Sequence, residues 1–189
     1  MSNNSLDGKR AFVTGSSRGI GRVVAEHLAI LGAKVAVHGT TRTSTRSFDE
    51  ADSIDAVVEQ IQDVSHVQAM AVTGDLSDAD VVHNAVETVV TEFGGIDILV
   101  NCAGGDIGAK GIQGENAGKP DRNNAVDISV DDMRTVIDRN FYTCVLCCRE
   151  VVPAMRERRS GSIINVGSIA GMWGMDGSAI YASAKAAVH

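Results

Sequence analysis

Ser168, Tyr181 and Lys185 are the residues whose types and spacing most directly suggest chemistry. Lys185 follows Tyr181 by four positions, and on a helix that spacing puts both side chains on one face. A free phenol, with a pKa of about 10, exchanges protons poorly near neutral pH. Moving it by roughly three units takes about 4 kcal/mol. An ammonium about 4 Å away supplies stabilisation of that order at an effective dielectric of about 20. Tyr181 with Lys185 is therefore a candidate proton donor and acceptor, and Ser168 a candidate hydrogen-bond donor to a substrate oxygen.

Near the other end, Thr14-Gly15-Ser16-Ser17-Arg18-Gly19-Ile20-Gly21 has the form of a nucleotide-binding turn. Glycines let the backbone approach a pyrophosphate without Cβ clashes. The free N–H groups and dipole of a helix start favour negative charge there. The spacing G-x-x-x-G-x-G departs from the common G-x-G-x-x-G fingerprint. A proton donor together with a nucleotide cofactor points to redox chemistry on carbonyls and alcohols.

The elements that must position these groups alternate in period. Residues 10–14, 35–37, 69–72, 96–100 and 162–166 read as strands. Residues 19–31, 54–61, 78–93 and 129–158 read as helices. The first should present Ile20, Val23, Val24, His27, Leu28 and Leu31 near one face and stop at Gly32. Ser129 and Asp132 form a near capping box for the last. That helix carries Phe141, Val145, Cys148 and Val152 on or near one stripe, as core or as a subunit contact. The alternation predicts an α/β fold: a Rossmann-like, doubly wound parallel sheet in three α/β/α layers. It breaks off after the fifth strand and the start of the following helix, so 1–189 is expected to be a single dinucleotide-binding domain, incomplete at its C-terminus. A sheet ending there would expose an apolar strand edge.

Between the fourth strand and the long helix, residues 104–124 are rich in Gly, Asn and charge and show no period. Such a loop sits at the carboxyl edge of the sheet, where open α/β folds bind ligands. Asp106, Lys110, Gln113, Glu115 and Asn116 make it polar, which suggests a hydroxylated substrate. After the second strand, His38-Gly39-Thr40-Thr41-Arg42 lacks the acid that holds the ribose 2′-hydroxyl of NAD. With Arg18 and Arg42 at hand, NADP(H) is favoured, NAD(H) being the alternative. Reversing the preference would require an acid near position 39 or 40.

The composition sets outer bounds. The 189 residues carry a formal charge of −7, which argues against nucleic-acid or anionic-membrane partners. Aromatics make up 4%, so the core should be aliphatic. No apolar run approaches the ~20 residues of a membrane span, and the polar start Met1-Ser2-Asn3-Asn4-Ser5 lacks signal-peptide character, so the protein is expected in the cytoplasm. Cys102, Cys144, Cys147 and Cys148 have no disulfide or metal-site spacing and read as packing thiols; no metal is expected.

Together these residues resemble the short-chain dehydrogenase/reductase family in its classical form. Gly15, Gly19 and Gly21 correspond to its cofactor turn. Asp75-Leu76 resembles the pair that contacts adenine, and Asn101-Cys102-Ala103-Gly104 is similar to its Asn-Asn-Ala-Gly motif with Cys at the second place. Asn140, Ser168, Tyr181 and Lys185 match its catalytic positions in order. The resemblance implies an oxidoreductase interconverting a secondary alcohol and a ketone. Tyr181 would pass the proton, Ser168 would steady the substrate oxygen, and Asn140 would order a water linking Lys185 to solvent. Lys185 would also hold the nicotinamide ribose. The cofactor-binding candidates are Gly15, Ser17, Arg18, Gly19, Ile20, Gly21, Thr40, Arg42, Asp75, Leu76, Asn101, Ala103 and Gly104, joined by Tyr181 and Lys185. A small-molecule alcohol or ketone and a homo-dimer or homo-tetramer are the implied partners. Family members usually continue for several dozen residues past the lysine. The rival expectations are a nucleotide-binding or interaction protein without turnover and a nucleotide-sugar epimerase.

Overall fold

The structure is a computed structural model that describes residues 5–189; the expectation for Met1 to Asn4 lies outside them. The described helices are α1 (Gly19–Ile30), α2 (Ile54–Ser65), α3 (Ala79–Phe93), α4 (Val130–Ile137), α5 (Thr143–Arg158) and α6 (Ala179–Val188). The strands are β1 (Arg10–Thr14), β2 (Lys34–Gly39), β3 (Ala69–Thr73), β4 (Ile98–Asn101) and β5 (Ser162–Asn165), in the sheet order β3-β2-β1-β4-β5. Contacts divide the chain into two compact units. The first runs to Cys102 and resumes over Leu146–Ile164; the second comprises Ala103–Val145 and Asn165–His189.

In the first unit, β1 pairs in parallel with β2 and β4, and β2 with β3. Ala11, Phe12 and Val13 are apolar without alternation because a parallel strand is covered on both faces. Phe12, Ala36 and Leu99 join Val82, Val86, Val89 and Phe93 of α3 and Val151 and Met155 of α5 in one core. Their alternates Val13, Val35 and Val37 are equally buried, on the opposite face, where α1 and α2 contribute Ala25, Ala29, Ile54, Val57 and Ile61. The order reverses between β1 and β4, so the chain ends leaving Thr14 and Asn101 open a crevice at the carboxyl edge. Ser53 and Asp78 cap α2 and α3 by accepting from Ala56 N, and from Asp80 N and Val81 N.

α1 turns inward a different face from the one its large apolar residues suggest. Ile20 is 70% exposed, and Val23 and His27 are exposed too. The buried positions are Gly21, Ala25 and Ala29, spaced four apart. Small side chains win that face because they let the helix lie close against the sheet.

In the second unit, the polar segment after Ala103 contains a tight turn, Glu115–Gly118, in which Asn116 and Ala117 take φ of +52° and +56°, and leads to Ser129, whose Oγ accepts from Asp132 N at 3.1 Å. The expected single helix over 129–158 is instead α4, a π turn over Asp138–Tyr142, and α5, whose residues from Leu146 onward belong to the first unit. Thr143 Oγ1 donates to the Asp138 carbonyl five residues back, at 3.1 Å. A π turn holds one extra residue, so it shifts the phase of all that follows. That is why Val145 of the expected stripe is exposed, while Cys144, Cys147, Val151 and Met155 are buried. Burial pushes the Cys147 thiol up to about 12, which makes it an inert packing group. Among the described residues no helix is long and apolar enough to cross a membrane.

Candidate functional site

The glycine turn is built in the first unit by His38. Ser16 N and Ser17 N donate to the His38 carbonyl at 2.8 and 2.9 Å, and Ser16 Oγ accepts from His38 N at 2.9 Å. Gly15 N donates to His38 Nδ1 at 3.1 Å, so Nε2 carries the hydrogen and donates to the Gly74 carbonyl at 3.0 Å. Burial lowers the His38 pKa to about 4, with the Gly74 bond and Asp75 opposing it, which keeps the ring in this neutral form. Gly15 and Gly19 take φ of +64° and +57°, the left-handed region that glycine tolerates. A Cβ on Gly21 would strike the Gly15 carbonyl. Helix α1 then opens with no acid in its first turn and no side-chain cap from Arg18, leaving N–H groups for an anion. One anion is already seated: both Glu50 oxygens accept from Gly19 N, at 2.9 and 3.1 Å. The turn therefore fits a dinucleotide's phosphates by shape and by charge.

Around this turn the expected residues have divided fates. Arg18 donates to the Ser44 carbonyl, and Ser17 Oγ accepts from Ser44 Oγ at 3.3 Å. Arg42 is committed to an ion pair with Asp55 of α2. Thr40 is exposed, whereas Gly39 is buried with a Cβ position 2.9 Å from Ser17 Oγ. An acid placed to read the ribose thus has room at 40 and none at 39. Asp75 Oδ1 accepts from Ser77 N and Oγ, while the Leu76 side chain belongs to the core. Asn101 is buried and donates to Cys148 Sγ at 3.3 Å. Cys102 N donates to Thr14 Oγ1 at 3.0 Å.

The second unit gathers Gly104, Asn140, Ser168, Tyr181 and Lys185. Asn140 lies in the π turn, which directs it inward. Its Nδ2 donates to the Gly105 and Val136 carbonyls at 2.9 and 2.8 Å, and its Oδ1 accepts from Gly105 N at 3.0 Å. Most of its hydrogen-bonding capacity therefore pins the backbone after Ala103, leaving one acceptor site on Oδ1. A Cβ on Gly104, whose φ is +148°, would lie 2.5 Å from Asn140 Oδ1 and 3.5 Å from Lys185 Nζ. Lys185 is only 5% exposed. Its Nζ donates to the Val166 carbonyl at 2.9 Å and stands 6.0 Å from the Tyr181 ring centre. Ser168 Oγ accepts from Ala170 N at 3.2 Å and caps the 3-10 turn Ile169–Met172. That turn presses on α6 so closely that a Cβ on Gly171 would sit 2.7 Å from Ala186 N. The Ser168 segment and the Tyr181–Lys185 helix are thus fastened by a close backbone approach and by the Lys185–Val166 bond.

The motif spacing gave no notice of His38 or Glu50. His38 directly follows the segment read as the second strand, and Glu50 lies 31 positions from the amide it binds. A buried histidine followed by an invasive glycine contact shows only once the strands are paired.

Comparison with known proteins agrees with this fold. The family described as short chain dehydrogenase matches residues 9–189. A cyclohexanol dehydrogenase from Rhodococcus sp. is 38% identical, with 98% of this chain and 67% of the relative covered. A 3-oxoacyl-acyl-carrier-protein reductase from Staphylococcus epidermidis is 36% identical, covering 95% and 64%. A crystal structure of a candidate short-chain alcohol dehydrogenase from Sinorhizobium meliloti superposes with a TM-score of 0.80 at 25% identity, over 98% of this chain and 64% of that one. The chain thus spans about two thirds of the length of these relatives. With the family matched over residues 9–189 and a relative 38% identical over 98% of this chain, the chain belongs to the short-chain dehydrogenase family.

Proposed function

We propose that this chain is an NADP(H)-dependent oxidoreductase that interconverts a secondary alcohol and a ketone, with residues 1–189 working as one dinucleotide-binding domain. The observation that carries the reading is the buried Lys185 ammonium, held on the Val166 carbonyl one helical turn from Tyr181. A lysine is almost never buried without a purpose for its charge, and here the charge stands beside a phenol. In the reductive direction Tyr181 gives its proton to the carbonyl oxygen, and in the oxidative direction it takes that proton back. Ser168 keeps its hydroxyl hydrogen for the substrate oxygen, since its Oγ only accepts from Ala170 N. Asn140 fixes the Gly104–Gly105 backbone and offers its remaining acceptor site to a water. When bound, the reduced nicotinamide supplies the hydride.

The preference for NADP(H) over NAD(H) is supported by Arg18 at the turn and by the lack of an acid in residues 38–42. A small alcohol or ketone substrate is supported by the activity for which the Rhodococcus relative is named. A homo-dimer or homo-tetramer and a cytoplasmic site complete the proposal, the latter supported by cysteines whose spacing fits no disulfide framework. Replacing Tyr181 by Phe tests it. Turnover on a panel of secondary alcohols and ketones should fall at least about a hundred-fold, while NADPH titration should be unchanged. Near-normal kcat in Tyr181→Phe would overturn the proton role, and equal or tighter NADH binding would overturn the cofactor preference.

A further inference from the structure

The segment between β2 and α2 has work that the proposed function leaves unassigned. Residues 43–52 lie across the start of α1 as a strap. At its far end both Glu50 oxygens accept from Gly19 N. Arg22, one turn further along α1, secures it by donating to the Glu50 carbonyl at 3.0 Å, with its guanidinium 3.9 Å from Glu50 Oε2. At its near end Arg18 holds the Ser44 carbonyl, and Ser44 Oγ donates to Ser17 Oγ. Every one of these contacts falls on a residue of the glycine turn or the first helical turns behind it.

A second observation concerns the middle of the strap. Thr45 is fully buried, yet its hydroxyl has no hydrogen-bond partner among the described residues. A buried polar group without a partner penalises the arrangement that buries it. The Glu50 contact, by contrast, is exposed and is weakened by salt. The docked strap is thus held by a displaceable anion contact and carries an internal penalty that lifting it would relieve.

We propose that Glu50 is an internal competitor for the anion seat of α1: its carboxylate occupies the Gly19 amide that a dinucleotide phosphate would take, so the cofactor must displace the strap to bind. The proposal rests on the cofactor reading above for the identity of the displacing anion. It makes Glu50 the residue that sets dinucleotide affinity, although it lies outside the glycine motif and touches no substrate. Its charge also screens the seat against weak single anions, which lack the further contacts a dinucleotide makes.

The test compares wild type with Glu50→Gln, which keeps the shape and removes the charge, and with Asp49→Asn as a control. Asp49 is an exposed acid next door with φ of +53°, a conformation that Asn adopts readily. NADPH and inorganic pyrophosphate are titrated separately, and hydrogen exchange over 43–52 is read without any ligand. Glu50→Gln should bind both probes about three- to five-fold more tightly, the scale of one exposed charge contact. Exchange over 43–52 should quicken in Glu50→Gln alone, and Asp49→Asn should match wild type throughout. Tighter pyrophosphate binding in Glu50→Gln, with no NADPH binding by either protein, would support the competitor and sink the proposed function. NADPH bound equally by wild type and Glu50→Gln would overturn the competitor and leave the proposed function standing.

Discussion

His38 shows how much one side chain can decide. Nothing about a histidine at the end of a strand marks it, yet its ring joins Gly15 N to the Gly74 carbonyl and so sets the curvature of the glycine turn. Its neutral state has a thermodynamic consequence. The folded pKa is about 4 against an ordinary 6.5, so between those values the unfolded chain binds a proton that the folded chain refuses. Stability is therefore full above 6.5 and falls as the pH drops toward 4, by up to about 3 kcal/mol at about 1.36 per unit. Urea unfolding at pH 7.5 and at pH 5 measures this. His38→Gln, whose amide can accept from Gly15 and donate to Gly74, should flatten the slope in that window. An unchanged slope would mean that other groups govern acid stability.

At the scale of elements, α1 and the α4–α5 junction show where periodicity misleads. The large apolar residues of α1 form a plausible face, but the helix buries Gly21, Ala25 and Ala29 because close approach to the sheet is worth more than bulk. Ala25→Leu should accordingly destabilise the chain by about 1–3 kcal/mol through overpacking. Ile20→Ala, which removes far more hydrophobic surface from a mostly exposed position, should change stability by no more than about 0.5 kcal/mol. Thermal unfolding of the two variants ranks them; a more harmful Ile20→Ala would restore the face read from the sequence. The π turn at Asp138–Tyr142 acts in the same way, since its extra residue rotates α5 relative to the phase set by α4. It also lets Asn140 turn inward to hold the Gly105 backbone, an outcome no 3.6-residue period announces.

At the scale of the whole molecule, β5 lies at one edge of the sheet among the described residues, where Ile163 and Ile164 are 37% and 52% exposed. An apolar strand at a sheet edge invites pairing between copies. For the 189-residue chain, Ile164→Lys should reduce self-association, seen as lower light scattering at matched concentration, with little change in unfolding midpoint. Unaltered scattering would show that this edge is not where copies meet. By themselves, the residues determined the alternation of strands and helices, the parallel sheet, the position of the glycine turn and the order Asn140, Ser168, Tyr181, Lys185. Those features are local in sequence, so composition, period and spacing express them directly. Only the folded chain decided that Arg42 pairs with Asp55, that Gly39 has no room for a side chain, that His38 shapes the turn and that Glu50 rests on Gly19. Each of these depends on groups brought together from distant positions by packing, where volume and unmet hydrogen bonds, rather than residue type, choose the partner.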